Sequence, residues 1–366
     1  MAIDLATLPA DVTQLLDQFP EFQATEFIDS GANGYVLTGM HSKLRKRVAL
    51  KVYYHETKEI DQEPALIAAI SHENVLRLHD ARSLSENCSF FMTPCANYGD
   101  LSTHLREYSI STVFAHQLLT QLLSGLSALH ESKLVHRDIK PENLLVHDET
   151  LLIADFGSVR RVSEETGVAP ASCHSILYRP PEALGDSPFF DYSSDTYQAG
   201  LVGYLLFGGR LNNNLETYLS PAKLRKLQAL KAVGDNYEVS RFVDGRIENR
   251  IARRNLVDWN GLPPFVPSSI TRCLKRSIQG SRYATCSEFL VELQRAGTGI
   301  PDWIRHSDAW VLRDWRGLDY RLSNLNGEVA VHKRAAGKSK FIADNQLSGG
   351  TLRIAYARLS SQLGLS

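Results

Sequence analysis

The chain has 366 residues, of which 43% are hydrophobic and 22% charged, and its formal net charge is −1. This is the composition of a packed globular protein; it excludes a disordered chain, and the near-zero charge gives no overall pull toward nucleic acid or acidic lipid. The five cysteines, Cys88, Cys95, Cys173, Cys273 and Cys286, form no CxxC pair and no metal-ligand spacing, so they read as reduced thiols, neither a disulfide frame nor a zinc site.

Met1-Ala2-Ile3-Asp4 lacks the basic start and apolar core of a secretion signal. No apolar run approaches the about 20 residues that cross a bilayer, and the most apolar stretch, residues 199–207, reads as a buried helix. A cytoplasmic protein without a membrane span is expected. Val12, Leu15, Leu16 and Phe19 then share one face of a short helix that Pro20 ends. From Phe27 to about Leu78 the pattern predicts strands, with Tyr35-Val36-Leu37 and Val48-Ala49-Leu50-Lys51-Val52 as apolar or β-branched runs, and residues 84–93 suggest more. From about Asp100 helical spacing takes over: Leu118, Leu119, Leu122, Leu126 and Leu129 mark a core-facing helix over 113–130, and residues 197–207 mark another. The polar stretch 211–266 predicts only one helix, near 221–232. After Pro301 the strand pattern returns in Trp310-Val311-Leu312, Tyr320-Arg321-Leu322 and Val329-Ala330-Val331, the last two separated by the hairpin signal Asn326-Gly327. A final helix carries Leu352, Ala355, Tyr356, Leu359 and Leu363 on one face. This tail holds 10 Lys/Arg against 6 Asp/Glu.

Three clusters carry chemistry suited to phosphoryl transfer, which needs a phosphate cradle, metal ions and a base that aligns the acceptor hydroxyl. The segment from Ile28 to Val36 is a small-residue turn between two strands, where Gly31 and Gly34 let backbone amides approach phosphate oxygens. Lys51 lies in an apolar strand, fifteen residues after Val36, from where it can reach those phosphates. The third cluster is His136-Arg137-Asp138-Ile139-Lys140-Pro141-Glu142-Asn143, followed by Asp155-Phe156-Gly157 twelve residues after Asn143. It supplies a carboxylate base (Asp138), a cation for the γ-phosphate (Lys140) and the oxygen donors that Mg²⁺ prefers (Asn143, Asp155).

In order and spacing, residues from about Ile28 to Leu290 resemble a eukaryotic-type protein kinase. The resemblance implies an α+β fold of two lobes, a β-rich N-lobe over residues 23–97 and a helical C-lobe over 98–298. An N-terminal extension (1–22) precedes them, and a small C-terminal α+β module (299–366) follows. It further implies Asp138 as catalytic base, Asn143 and Asp155 as Mg²⁺ ligands, and Lys51 as the ATP-anchoring lysine. Lys140 within Asp-Ile-Lys-Pro-Glu-Asn is similar to the serine/threonine branch. Thr93 falls at the gatekeeper position, Pro94 and Ala96 at the adenine hinge, Asp100 near the ribose and Leu145 beneath the base. Ile28, Gly31, Gly34, Val36 and Ala49 complete the nucleotide-contacting set. Pro180-Pro181-Glu182 resembles the end of an activation segment, and Arg282 stands where the family pairs an arginine with that glutamate. Glu182, Asp195 and Arg282 are read as fold supports.

Departures from the pattern are local. Asp29 replaces the first cradle glycine. Glu63 is the candidate partner of Lys51, only twelve residues beyond it, and Pro64 implies a truncated helix starting near that proline. Glu59 is the fallback. In the activation segment Arg137 is placed to meet a phosphate; Thr166 and Ser172 are the preferred acceptors, Ser175 reads as a structural hydroxyl, and Glu164-Glu165 are a candidate charge substitute. The chain is therefore expected to be a serine/threonine protein kinase using ATP and Mg²⁺ on protein Ser/Thr hydroxyls, with autophosphorylation of its activation segment. The alternatives are a pseudokinase scaffold and, third, a small-molecule kinase. In the tail, Lys333, Arg334, Lys338 and Lys340 with Trp303, Trp310 and Trp315 favour a partner-docking module over a nucleic-acid surface.

Overall fold

The computed structural model describes residues 8–29, 34–55, 63–171, 175–325 and 327–365. The chain divides into two compact units, Met1–His104 with Pro141–Val159, and Leu105–Lys140 with Arg160–Ser366.

The first unit is built on a five-stranded antiparallel sheet of β1 (Phe22–Asp29), β2 (Tyr35–His41), β3 (Lys46–Tyr54), β4 (Asp80–Ser83) and β5 (Cys88–Pro94), in the order β1-β2-β3-β5-β4. Alternation along β3 sorts its side chains: Val48, Leu50 and Val52 point to one face and Ala49 and Lys51 to the other. The first face is closed by α1 (Ala10–Gln18), whose Val12 and Leu15, with Phe19 beyond it, pack on Leu37, Leu50, Phe90 and Met92. Strand structure begins at Phe22, earlier than the sequence pattern indicates, because a bulge between Ala24 and Glu26 breaks the period-two signal. It gives way at α2 (Glu63–Ala68), a helix of only six residues.

In the second unit the helix Thr112–Glu131 runs through the core beside Tyr192–Leu206, Ser268–Ile278 and Cys286–Ala296. Ser111 caps the first by accepting from Phe114 N at 3.2 Å, and Asp191 closes a capping box on the second. Besides the expected helix Pro221–Val233, a second one, Asn236–Ala252, follows a left-handed Gly234. It buries only Ile247 and Ile251 and so leaves no apolar stripe to read. Residues 303–343 form a second five-stranded antiparallel sheet in chain order, and the helix Leu352–Leu363 packs on one face of it. The turn between Leu325 and Glu328 contains Gly327 at φ +88, while Asn326 lies outside the described residues. Trp303 is fully buried here and stacks on Phe265 of the helical body, ring centroids 4.9 Å apart. Among the described residues no helix is long and apolar enough to cross a membrane.

Candidate active site

Lys51 is set by β-sheet register: it lies opposite Val36 on β2 and Phe91 on β5. Its Nζ stands 3.0 Å from Glu63 Oε1 and 2.9 Å from Asp155 Oδ1. Burial alone would weaken its hold on the proton, but the two carboxylates outweigh burial and hold the ammonium above its ordinary pKa. Glu63 is buried at the N-terminal edge of α2 and also accepts from Phe156 N at 3.1 Å. Burial raises its pKa, against the pull of Lys51. One carboxylate thus ties β3 to the Asp155-Phe156-Gly157 turn, with Glu63 rather than Glu59 as the observed partner; Glu59 lies outside the described residues.

Asp155 adopts a left-handed φ of +59, and the fully buried Phe156 begins the short turn Phe156–Ser158. Asn143 is buried at the end of Pro141–Asn143, and its carbonyl accepts from Ala154 N at 3.0 Å, linking the two candidate metal ligands through backbone. Asn74 braces the short strand Thr150–Ile153 that leads to Asp155, donating from Nδ2 to Leu151 O at 3.0 Å. Oxygen donors from one carboxylate and one amide suit Mg²⁺, whose remaining positions are commonly filled by phosphate oxygens and water. The cradle is tight as well as small: Gly34 has φ +90, and a Cβ there would fall 2.0 Å from Val52 O. Gly31 lies outside the described residues.

Ile28, half exposed, pairs with Val36 across β1 and β2. Thr93 is buried and faces Ala49, and Pro94 faces Val48. Beyond Ala96 the chain is clamped by Tyr98 N donating to Val146 O at 3.1 Å and Val146 N donating to Gly99 O at 2.9 Å. Asp100 bridges to Leu145, but its carboxylate is engaged by Thr103, whose N lies 2.8 Å from Oδ1.

The second unit holds the other residues. Asp138 is buried, and its Oδ2 receives Lys140 Nζ at 2.8 Å. The backbone just before it is held by Asp195, fully buried, which accepts from His136 N at 2.8 Å, Arg137 N at 2.9 Å and His130 Nε2 at 3.0 Å. Burial alone would raise the pKa of Asp195; the His130 hydrogen bond, the nearby imidazoles and the Arg137 amide overcome this and hold it below the usual carboxylate value. Gln198, one turn along the same helix, accepts from Ile139 N at 2.9 Å and donates to Arg137 O at 3.2 Å and Tyr178 O at 3.0 Å. It thereby joins the loop around Asp138 to the segment before Pro180. Sequence reading missed this role; the available signal was its i+3 spacing from Asp195.

Arg137, buried at φ +71, donates to Pro170 O, and burial followed by the charge of Arg160 brings its pKa down to about 10. Glu182 accepts from Arg282 Nη1 at 2.8 Å and from the Ser194 hydroxyl. Glu164 pairs with Lys133, and Thr166 is exposed with its N donating to Ser163 Oγ at 3.3 Å. Ser175 precedes the turn Ile176–Tyr178, whereas Ser172 and Cys173 lie outside the described residues.

A family model described as "Protein kinase domain" matches residues 22–243. The chain is 26% identical over 164 residues to "Calcium-dependent protein kinase 6" of Plasmodium berghei, covering 44% of this chain and 11% of that protein. It is 29% identical over 203 residues to "Probable serine/threonine-protein kinase KCC4" of Saccharomyces cerevisiae, covering 51% and 19% respectively. With "CBL-interacting serine/threonine-protein kinase 15" of Arabidopsis thaliana it shares 24% identity over 268 residues, covering 68% and 63%. The chain thus spans less than two thirds of the length of each of these relatives.

Proposed function

The chain belongs to the protein kinase family, of the eukaryotic serine/threonine type, and from that premise we propose that it transfers the γ-phosphoryl group of ATP to Ser or Thr hydroxyls of proteins with Mg²⁺ as cofactor. The observation that carries this reading is the Lys51 ammonium fixed between Glu63 and Asp155. A lysine so held keeps its charge and its direction, both of which phosphate alignment requires.

In this mechanism Asn143 and Asp155 would hold the metal, which would supply positive charge to the phosphates. Lys51 steadies the phosphate chain and Glu63 keeps Lys51 in place. Asp138 accepts a hydrogen bond from the acceptor hydroxyl, orients it for in-line attack and takes its proton. Lys140 pairs with that base, and we assign it to the charge developing on the transferred group. Thr166 and Ser172 are the proposed sites of self-modification, with Arg137 near enough to the segment to receive a phosphate.

The test is incubation of the full chain with labelled ATP, Mg²⁺ and a mixed protein acceptor, followed by phosphoamino-acid analysis. Label on serine and threonine, dependent on Mg²⁺, is expected. Label on tyrosine alone, or on added sugars or aminoglycosides but no protein, would replace this reading.

A further inference from the structure

The C-terminal sheet has two faces. Tyr320, Leu322 and Val331 point into the core beneath the helix Leu352–Leu363, so the alternate residues Asp319, Arg321, His332 and Arg334 lie on the opposite face. There a pocket of about 450 Å³ is lined by, among others, Val311, Asp319, Arg321, Arg334, Ala336 and Phe341. That volume is within the roughly 300–1,000 Å³ of small-molecule sites.

The arginines around it are not equivalent. Arg334 donates to Asp319 at 2.7 Å and Arg313 to Asp302 at 2.7 Å, so both are neutralised. Arg321 has no carboxylate partner among the described residues, and its Nε is buried without a hydrogen bond. Its guanidinium lies 4.7 Å from the centre of the Phe341 ring, and that of Arg334 lies 4.3 Å from the same ring. Directly across the strand pair from Arg321 is His332, whose buried Nδ1 also lacks a partner. Burial, and then the Arg321 charge, lowers the proton affinity of His332, which accords with a positive potential at this spot. Of the two carboxylates in the wall, Asp319 is spent on Arg334 and on Asp314 N at 2.9 Å, and Asp314 is exposed and screened by water.

We propose that this pocket binds a phosphate group through Arg321, the phosphate being carried on a larger molecule that rests against Phe341 and Val311. A half-buried cation lacking a counter-charge is costly, and a planar guanidinium fork is the group best matched to a phosphate oxyanion. The apolar wall and the volume call for more than a bare ion. A phosphorylated protein side chain and a nucleoside monophosphate both present this chemistry. The inference does not depend on the proposed kinase activity.

The experiment is titration calorimetry of the full chain with three probes: a phosphoserine peptide, the same peptide unphosphorylated, and AMP. Each is run with saturating adenosine, which carries no phosphate, so that binding near Lys51 is kept apart. A phosphorylated probe is expected to bind and the plain peptide not to; the phosphopeptide binding more tightly assigns a protein source, AMP a nucleotide source. Arg321→Gln should weaken binding at least about tenfold. Ala336→Glu, which adds a carboxylate to the pocket wall and removes no hydrogen bond, should do likewise and keeps the test decisive if the first variant does not fold. No binding of either phosphorylated probe, or binding unchanged in the folded variants, overturns the proposal.

Discussion

Glu63 meets three demands at once: it is the first residue of a very short helix, it neutralises Lys51, and it receives the amide of Phe156. Glu63→Gln keeps the shape and removes the charge. Steady-state kinetics should show kcat reduced about 100-fold, the scale of a misplaced reactant, with the KM for ATP changed less; an unchanged kcat would show that Lys51 is held by Asp155 alone. Asp195 has no contact with reacting groups in this account and positions the loop backbone before Asp138. Its folded-state pKa lies below its unfolded value near ~3.9, so its ionised form stabilises the fold above that pH and the contribution disappears as pH falls through the folded value. Asp195→Asn should therefore flatten the acid limb of a Tm-against-pH curve below about pH 4, while lowering Tm at neutral pH because a buried charge-assisted network is broken. Lys51, Asp138, Asn143 and Asp155 stand out in the sequence because they sit in short motifs in a fixed order, and the structure brings Lys51 against Asp155. Gln198 was not, since it bonds to backbone groups of Arg137, Ile139 and Tyr178, which any residues there would present.

The elements divide in the same way. The long helix Thr112–Glu131 declares itself through its leucines, all buried, and Pro64 foretold the truncated α2. The helix Asn236–Ala252 was illegible because it buries so little, and β1 was misjudged at its start because a bulge and an exposed register hide its alternation. The α1 helix has a clear consequence for β3. It covers the face bearing Val48, Leu50 and Val52, the residues that alternate with Lys51, and Tyr54 donates to Asp11 at 2.8 Å. Leu15 is fully buried in that contact, and Leu15→Ala should cost about 3 kcal/mol of stability. Chemical denaturation measures this; a loss well under 1 kcal/mol would mean that α1 is a loosely attached cover.

Across the whole molecule, the residues after Pro301 are joined to the helical body as well as to one another. Thr112 Oγ1 receives Trp303 N at 2.9 Å and donates to Pro301 O, Arg353 donates to Asn260 O at 2.6 Å, and Phe265 lies in the same core as Trp303. The tryptophans that suggested base stacking are thereby accounted for: Trp303 is core, and Trp310 and Trp315 are partly buried against it. Trp303→Ala should cost about 4 kcal/mol, visible as a lower Tm for the helical body and the C-terminal sheet together; separate transitions with only the sheet affected would show that the two fold independently. The central claim, transfer from ATP by Asp138 with Lys51 and Asp155 aligning the phosphates, is tested most directly by autophosphorylation of the full chain and of Asp138→Asn, with labelled ATP, Mg²⁺ and mapped sites. The account predicts label on Ser or Thr in the wild type and nearly none in the variant, with nucleotide binding retained. Equal label in both would contradict it.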